Sequence, residues 1–322
     1  MRKIIVVTGQ TAVGKTNLAI KIAAEENGEL VNCDSRQAYK YLDLVTGKDI
    51  SQDHFQLVNR INSFDIGYYK IEKLTPKTNY LTKIWLYDIV SPNQYFSSFD
   101  YKQCALFVIK KLLDKNKTPI IVGGTYFYLY HLLYGVASET IPPNWELRRK
   151  LKTKTVKELQ DFLLKLDPQS FSRLNESDRA NPRRLLRKIE ILTSQVKKPI
   201  NNFFDRKPQI TLFKNLGLPN INIKLLGLKF ANKEKLKEAI AKRVEERLKN
   251  GAIDEVKKLL DLGYSENDPG LKTIGCRQII DFLKGRITKK NMIETWINKE
   301  IQYAKRQYTF MKKDLYIQWK AI

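Results

Sequence analysis

A glycine-rich segment near the start of the sequence has the residue types and spacing that bind phosphate. It follows a strand-like run at residues 4–8 and leads into a helical pattern from Asn17. Glycines let backbone N–H groups surround an anion, a lysine adds a full positive charge, and a hydroxyl can hold Mg²⁺. An ordinary glycine-rich turn is the alternative. The predicted diphosphate- or triphosphate-binding residues are Gly9, Gln10, Thr11, Ala12, Val13, Gly14, Lys15 and Thr16, with Thr16 as the metal-holding residue.

A second polar cluster follows the next strand-like run, residues 30–33. It consists of Asp34, Ser35, Arg36 and Gln37. Open α/β sheets bind their ligands at the carboxyl ends of strands. There a carboxylate can act as a general base, and a glutamine amide can pair with the edge of an adenine. The alternative is that Asp34 or Ser35 only caps a helix.

A third cluster follows the strand-like run at residues 119–122. It begins with two adjacent glycines, Gly123 and Gly124, and continues with Thr125. Glycines permit close approach of a ligand, and the threonine hydroxyl can donate to a phosphate or bridging oxygen. A left-handed turn before a helix is the alternative.

The charge of the chain points to a polyanionic partner. Its 322 residues carry a net charge of +24, and residues 141–322 hold 41 Lys and Arg against 21 Asp and Glu. Such an excess favours phosphate backbones, although a lysine-rich proteome would also raise the lysine count. Arg183, Arg184 and Arg187 recur at helical spacing, which suits a grip on phosphates or, alternatively, a solvated helix face.

The elements that must position these clusters alternate between strands and helices. Predicted strands at 4–8, 30–33, 84–88, 119–122 and 223–228 indicate an α/β fold, a P-loop-containing parallel sheet flanked by helices. The polar stretch 51–82 is predicted to be a surface insertion or hairpin that folding does not require. The predicted domains are a catalytic core at 1–137, an inserted helical domain at 138–179, and a second part of the core, with C-terminal helices, at 180–322.

Several classes of protein are disfavoured. No apolar run approaches the roughly 20 residues that span a bilayer, and the sequence opens on a strand-like run instead of a signal peptide. We therefore expect a soluble, cytoplasmic protein. Three cysteines and two histidines, widely spaced, fit neither a disulfide framework nor a zinc site.

The three motifs, in this order and each at a strand end, resemble the tRNA isopentenyltransferase (tRNA dimethylallyltransferase) family. The resemblance continues through further blocks at residues 88–92, 178–190, 251–256, 273–278 and 303–309, so it spans nearly the whole chain. It implies transfer of a dimethylallyl group from dimethylallyl diphosphate to an exocyclic adenine amine. The adenine is the one 3′ to the anticodon, position 37, in tRNAs that read codons starting with U.

The resemblance also implies roles for individual residues. Asp34 would remove the proton of the amine, Thr125 would contact the reacting centre, and Mg²⁺ would assist the diphosphate. The implied partners are the tRNA anticodon stem-loop and dimethylallyl diphosphate, with a monomeric enzyme and no membrane. The residues expected to bind tRNA are Asp34, Ser35, Arg36, Gln37, Arg183, Arg184, Arg187, Arg277, Lys305 and Arg306.

The sequence departs from the family pattern at three places. Residues 51–82 are longer than the usual connection, Ala239 stands where many members carry arginine, and Tyr126 stands where glycine is common, which predicts a narrower site. Two other functions remain open. In a P-loop kinase or NTPase acting on nucleic acid, Asp88 would hold magnesium; in a basic RNA-binding module, the P-loop would be only a switch.

Overall fold

The computed structural model describes residues 2–48, 54–74, 79–136, 138, 141, 143–194 and 221–322. The chain forms two compact units. The first comprises Met1–Tyr134 and Lys207–Ile322, and the second comprises Gly135–Arg206. The second unit is thus inserted between two segments of the first. No helix in the described ranges is both long and apolar enough to cross a membrane.

An eight-stranded sheet forms the centre of the first unit. Its strands follow the spatial order β3-β4-β5-β2-β6-β1-β7-β8. From β5 to β8 all neighbours are parallel, whereas β3–β4 and β4–β5 are antiparallel. The strands are β1 (Lys3–Gly9), β2 (Gly28–Asn32), β3 (Gln56–Ile61), β4 (Phe64–Leu74), β5 (Asn79–Trp85), β6 (Thr118–Val122), β7 (Asn222–Lys229) and β8 (Gln318–Ala321).

Twelve helices lie in the described ranges, and α4 to α8 belong to the second unit. They are α1 (Lys15–Glu25), α2 (Ser98–Asp114), α3 (Tyr126–Tyr134), α4 (Trp145–Leu151), α5 (Val156–Leu166), α6 (Pro168–Ser172), α7 (Glu176–Arg179), α8 (Pro182–Thr193), α9 (Lys233–Lys249), α10 (Ala252–Asp261), α11 (Cys276–Leu283) and α12 (Lys289–Met311).

Strand β1 is apolar along its length because both faces of the sheet are covered. Ile4 and Val6 join one hydrophobic cluster, while Ile5 and Val7 join another that contains residues of α1. Side chains of a strand alternate between its two faces, so each face needs apolar residues. The predicted α/β fold with helices on both faces of a largely parallel sheet is confirmed.

The predicted strands are all present, with different bounds. The strand predicted at 84–88 ends at Trp85 because Leu86 (φ 68°) and Asp88 (φ 55°) adopt left-handed backbone conformations. Strand β8 was not predicted.

The predicted hairpin is present as β3 and β4, but its packing argues against the prediction that folding does not require residues 51–82. Strand β3 is exposed, but β4 lies between β3 and β5, and its Phe64, Ile66 and Ile71 are buried. The hairpin therefore contributes side chains to the hydrophobic core. Removing it would expose β5 and the residues packed against β4.

The second unit has its own small hydrophobic core. Leu159 and Leu163 of α5 pack with Leu185 and Ile189 of α8. Helix α8 thus belongs to the inserted unit, whereas the predicted boundary at residue 179 assigned it to the catalytic core. The predicted boundary falls too early because the basic residues of α8 dominate its sequence and obscure the apolar positions Leu185 and Ile189.

Candidate functional site

The phosphate-binding segment connects β1 to α1. Gly14 caps α1 with φ 81° and no side-chain hydrogen bond to the helix. The N-terminus of a helix carries partial positive charge, so this end of α1 suits an anion. Gly9 has φ 141°, and a Cβ there would lie 2.1 Å from the carbonyl oxygen of Leu228. Only glycine therefore fits where β1 passes β7.

A cavity of about 520 Å³ opens at this loop. Lys15 and Thr16 lie in its lining, and the Lys15 Nζ donates to the Gln10 carbonyl oxygen at 2.5 Å, across the loop. The structure thus brings together the charge, hydroxyl and helix N-terminus that the sequence predicts. The lining of the cavity includes Gly14, Lys15, Thr16, Asp34, Gln37, Thr46, Gly47, Ala239, Arg243 and Gln307.

Asp34 lines the same cavity from the end of β2. Its N–H donates to Asn32 Oδ1 at 2.9 Å, and its own Oδ1 accepts from the Arg36 N–H at 2.9 Å. Residues 35–38 form turns, and no helix begins there. The helix-cap alternative is therefore incorrect: the carboxylate caps a turn and still faces the cavity.

Thr125 joins the second and third clusters. Its Oγ1 accepts from the Ser35 N–H at 3.0 Å and lies 3.2 Å from the Ser35 Oγ. Burial raises the pKa of Tyr303 on α12, and Asp34 adds to the effect, while a hydrogen bond with Thr125 opposes it. The tyrosine therefore stays protonated beside the two candidate catalytic residues.

The glycines before Thr125 permit contacts within the protein. A Cβ at Gly123 would lie 2.2 Å from the Cys33 carbonyl carbon, and one at Gly124 would lie 2.3 Å from Gln307 Nε2. The sequence predicts that a ligand approaches these glycines closely. In the structure, the atoms that approach them are those of Cys33 and Gln307.

Tyr126 does not line the cavity, so the narrowing predicted from it is absent there. Its ring is buried, and its hydroxyl donates to Asp314 Oδ2 at 2.6 Å. The side chain is held at that carboxylate by this bond.

Gln37 and Arg36 both contact backbone. The Gln37 Nε2 donates to the Gly47 carbonyl at 3.0 Å, and the Arg36 Nη1 donates to the Pro269 carbonyl at 3.2 Å. The sequence predicts that Gln37 recognises a base. In this structure its amide N–H group is hydrogen-bonded to the Gly47 carbonyl, which lies in the wall of the cavity.

Two residues outside the predicted site residues, Arg243 and Gln307, also contact the P-loop. The Arg243 Nη1 donates to Thr11 Oγ1 at 2.9 Å. Gln307 accepts from the Thr11 N–H and donates to the Gly124 carbonyl, both at 2.9 Å. No local pattern distinguishes either residue from the other polar residues of its helix.

A second arginine lies behind Arg243. Arg247 is buried, and its Nη1 donates to Glu300 Oε1 at 3.1 Å. Burial lowers the pKa of Arg247 to about 10, and the neighbouring Arg243 adds to this effect. A Cβ at Gly47 would lie 2.5 Å from Arg243 Nη2 and 2.9 Å from Arg247 Nη2. Both guanidinium groups therefore pack against this glycine, giving the cavity a positive wall.

Asp88 is poorly placed to hold magnesium in a kinase-like site. One carboxylate oxygen pairs with the Lys48 Nζ, and the other accepts from the Tyr69 hydroxyl at 2.7 Å. Asp88 is 8% exposed and is not among the residues lining the cavity. The kinase or NTPase alternative thus lacks its acidic residue here.

The arginines of α8 fall into two groups. Arg183 is exposed, and Arg184, also exposed, pairs with Asp178. Arg187 is half-buried and donates to Glu190 Oε2 at 3.0 Å and to the Ile141 carbonyl at 2.7 Å. The Arg187 guanidinium thus has several partners within the protein, whereas Arg183 and Arg184 are accessible. Arg277, Lys305 and Arg306 are exposed on α11 and α12.

The strand, loop and helix around residues 9–16, on a parallel sheet covered on both faces, are those of a P-loop protein. Residues 63–314 match the family model described as IPP transferase. The chain therefore belongs to the IPP transferase family.

Relatives and solved structures agree with this family. The chain is 31% identical to a tRNA dimethylallyltransferase of Acetivibrio thermocellus, over 99% of this chain and 91% of the relative. It is 34% identical to one of Endomicrobium trichonymphae, over 96% and 91%. The crystal structure of a tRNA isopentenylpyrophosphate transferase from Bacillus halodurans is similar with TM-score 0.62 and 26% identity, covering 100% of this chain and 90% of that one.

A eukaryotic dimethylallyltransferase acting on tRNA has the same fold. Its TM-score is 0.73 at 24% identity, and the match covers 100% of this chain and 74% of that one. At this identity the likeness supports the fold alone.

Proposed function

We propose that this protein transfers a dimethylallyl group from dimethylallyl diphosphate to the exocyclic amine of an adenine in tRNA. The observation that carries the proposal is that a general-base candidate, Asp34, lines the same cavity as the phosphate-binding Lys15. The chain's membership of the IPP transferase family supports the same reaction.

The P-loop would serve a leaving group. Negative charge grows on the diphosphate as the allylic carbon–oxygen bond breaks, so donors aimed at it stabilise the transition state more than the ground state. Lys15 and the N-terminus of α1 supply positive charge, and Arg243, which lines the same cavity and donates to Thr11, adds to it.

Asp34 would act on the other substrate. The adenine nitrogen forms a bond to the allylic carbon while the diphosphate departs with the bonding electrons, and the amine must lose one proton. Asp34 accepts that proton. Thr125 is held at Ser35, next to this carboxylate, and would contact the reacting centre.

Mg²⁺ suits this site if it binds together with the diphosphate of the substrate. The described ranges contain no group of three or more His, Cys, Asp or Glu side chains that could hold a metal, but the Thr16 hydroxyl lines the cavity. Mg²⁺ commonly keeps several waters and binds through few protein ligands plus substrate phosphates. Thr16 would hold it, and the ion would neutralise diphosphate charge.

The finer identity of the substrate follows from the same proposal. We infer that the target adenine is position 37, next to the anticodon, in tRNAs that read codons starting with U. Loop bases of this kind can be splayed out of the stack and read on their edges. The exposed Arg183 and Arg184 are candidates for contacts with the phosphates of the anticodon stem-loop.

The test is incubation with radiolabelled dimethylallyl diphosphate and unmodified tRNA, with ATP hydrolysis measured in parallel. The proposal expects label in tRNA, at the adenine 3′ to the anticodon, and no tRNA-dependent ATP hydrolysis. ATP turnover without label transfer would support the kinase or NTPase alternative instead. Binding of tRNA without either turnover would support the RNA-binding module.

A further inference from the structure

A buried ion pair links the β3–β4 hairpin to the loop before it. The Tyr69 hydroxyl on β4 donates to Asp88 Oδ2 at 2.7 Å, and the other oxygen of Asp88 pairs with the Lys48 Nζ. The Lys48 side chain is fully buried, and that of Asp88 is 11% exposed. Contacts at this depth are poorly screened by water, so they fix geometry strongly.

Lys48 in turn closes the loop at residues 43–48. Its Nζ also donates to the Tyr39 carbonyl at 2.8 Å and to Asp43 Oδ1 at 2.6 Å, which gives the ammonium group three acceptors. Its backbone N–H donates to the Asp43 carbonyl at 2.9 Å. An ammonium group has three N–H donors, so all of them are used, and these bonds restrain the loop.

The residues next to Lys48 form a wall of the phosphate cavity. Thr46 and Gly47 line it, the Gly47 carbonyl accepts from Gln37, and Gly47 packs against Arg243. A shift of this loop would therefore move the glycine that sets the position of the Arg243 guanidinium.

Two carboxylates, those of Asp43 and Asp88, share the single ammonium group of Lys48. The Tyr69 hydroxyl satisfies the second oxygen of Asp88. Without that donor, a buried carboxylate oxygen would lose its hydrogen bond, which favours rearrangement of the pair.

We propose that Tyr69 is a positioning residue of the phosphate site, acting through Asp88 and Lys48 on the cavity wall at Gly47. The hairpin thereby becomes a support of the site as well as part of the sheet. The inference rests on the proposed function only in taking diphosphate as the ligand of the cavity.

The test compares Tyr69→Phe with Tyr68→Phe. Each variant removes one hydroxyl from β4 and keeps the aromatic ring. The Tyr68 hydroxyl, unlike that of Tyr69, makes no hydrogen bond within the described residues. The Tyr68 ring packs against Trp85 with a centroid distance of 4.8 Å. Binding of inorganic diphosphate should weaken about 3–10-fold in Tyr69→Phe, the scale of one hydrogen bond, and stay unchanged in Tyr68→Phe. A lowered melting temperature with unchanged diphosphate affinity would overturn the proposal.

A double-mutant cycle checks the route. Gln37→Ala frees the Gly47 carbonyl, so Tyr69→Phe should add little further loss of diphosphate affinity in that background, whereas distant, unconnected sites add. Additive losses of diphosphate affinity in the two variants would contradict the proposal that Tyr69 acts through the cavity wall at Gly47. If diphosphate binding responds as expected but label transfer to tRNA fails, the proposed function is wrong and the inference stands. Absence of diphosphate binding by the unaltered protein would overturn both.

Discussion

The backbone N–H of Thr11 donates a hydrogen bond of 2.9 Å to the Oε1 of Gln307, although the two residues are 296 positions apart. The same amide group donates through Nε2 to the Gly124 carbonyl. One buried side chain therefore joins the P-loop to the loop that carries Thr125. Glutamine can accept one of these hydrogen bonds and donate the other. An ionised carboxylate cannot donate, and a hydrocarbon can do neither.

Replacing Gln307 by glutamate keeps the size of the side chain and adds a charge, so it tests how charge at this position affects diphosphate binding. Gln307→Glu keeps an acceptor for Thr11, loses the donor to Gly124 and adds a negative charge beside the phosphate cavity. We expect diphosphate affinity to fall by more than tenfold, and further than in Gln307→Ala, because the anion is repelled in a poorly solvated site. Calorimetric titration with diphosphate measures both. Equal losses in the two variants would mean that only the hydrogen bonds matter.

Lys15→Ala should abolish transfer by leaving the departing diphosphate without its neutralising charge. Affinity for tRNA should stay within a few-fold of the unaltered protein, because the lysine lies in the phosphate cavity. The measurement is labelled transfer together with filter binding of tRNA. Full activity in this variant would remove the P-loop from the mechanism.

Asp34→Asn tests the general base. The Asp34 Oδ1 accepts from the Arg36 N–H, and an asparagine oxygen can accept the same bond, so the turn should persist. Transfer should nevertheless fall roughly 10²–10⁴-fold, the usual range for loss of general-base catalysis. Single-turnover rates at saturating dimethylallyl diphosphate report the chemical step. A rate within about threefold of the unaltered protein, with folding intact, would shift attention to Thr125 or solvent as the proton acceptor.

Binding of tRNA should weaken steeply with salt, by a slope of roughly 0.7–0.9 per phosphate contact. Arg183→Ala combined with Arg184→Ala should flatten that slope; Arg187 is left in place because it supports Glu190. The control combines Lys284→Ala with Arg286→Ala, which removes two charges from a cluster that already pairs with Glu266. If the control flattens the slope as much, the effect is one of net charge only.

The second unit should lose stability in acid. Burial acts to raise the pKa of Glu190, but hydrogen bonds from Arg148 and Arg187 outweigh it and hold the pKa below its ordinary value of 4.5. A lowered folded-state pKa contributes stability above about 4.5 that is lost as the pH falls through the folded-state value. Hydrogen exchange of residues 143–194, corrected for its intrinsic pH dependence, should show this loss.

Glu190→Gln should remove that acid dependence and weaken the unit at neutral pH. The exposed Glu146, which pairs with Lys150, provides the control Glu146→Gln. The same acid dependence in Glu190→Gln and the unaltered protein would assign it to other carboxylates.

Local pattern was enough to predict part of the site. The P-loop carries its own signal, and Asp34 and Thr125 come shortly after the apolar runs that become β2 and β6. These two strands are hydrogen-bonded neighbours, so their ends meet at one edge of the sheet. Short-range sequence thus predicts that both residues lie at strand ends, whereas their catalytic roles are implied only by the family resemblance.

Contacts between distant segments could not be predicted in this way. Arg243 and Gln307 stand on long helices whose polar residues are numerous, and nothing local marks the one that reaches Thr11. The hairpin was misjudged because β3 is exposed along nearly its whole length and its polar residues obscure the buried positions of β4.

The position of β1 between β6 and β7 has a consequence for synthesis of the chain. Val7 pairs with Val122 on one side and with Leu226 on the other. At roughly 5–20 residues per second, about 10–45 s separate the emergence of β1 from that of β7. Throughout that interval the nascent chain carries a hydrophobic strand with at least one unpaired edge, and with two until β6 has been made, followed by a P-loop whose Thr11 still lacks Arg243 and Gln307. The ribosome-bound chain should therefore be a substrate for chaperones until β7 has been made.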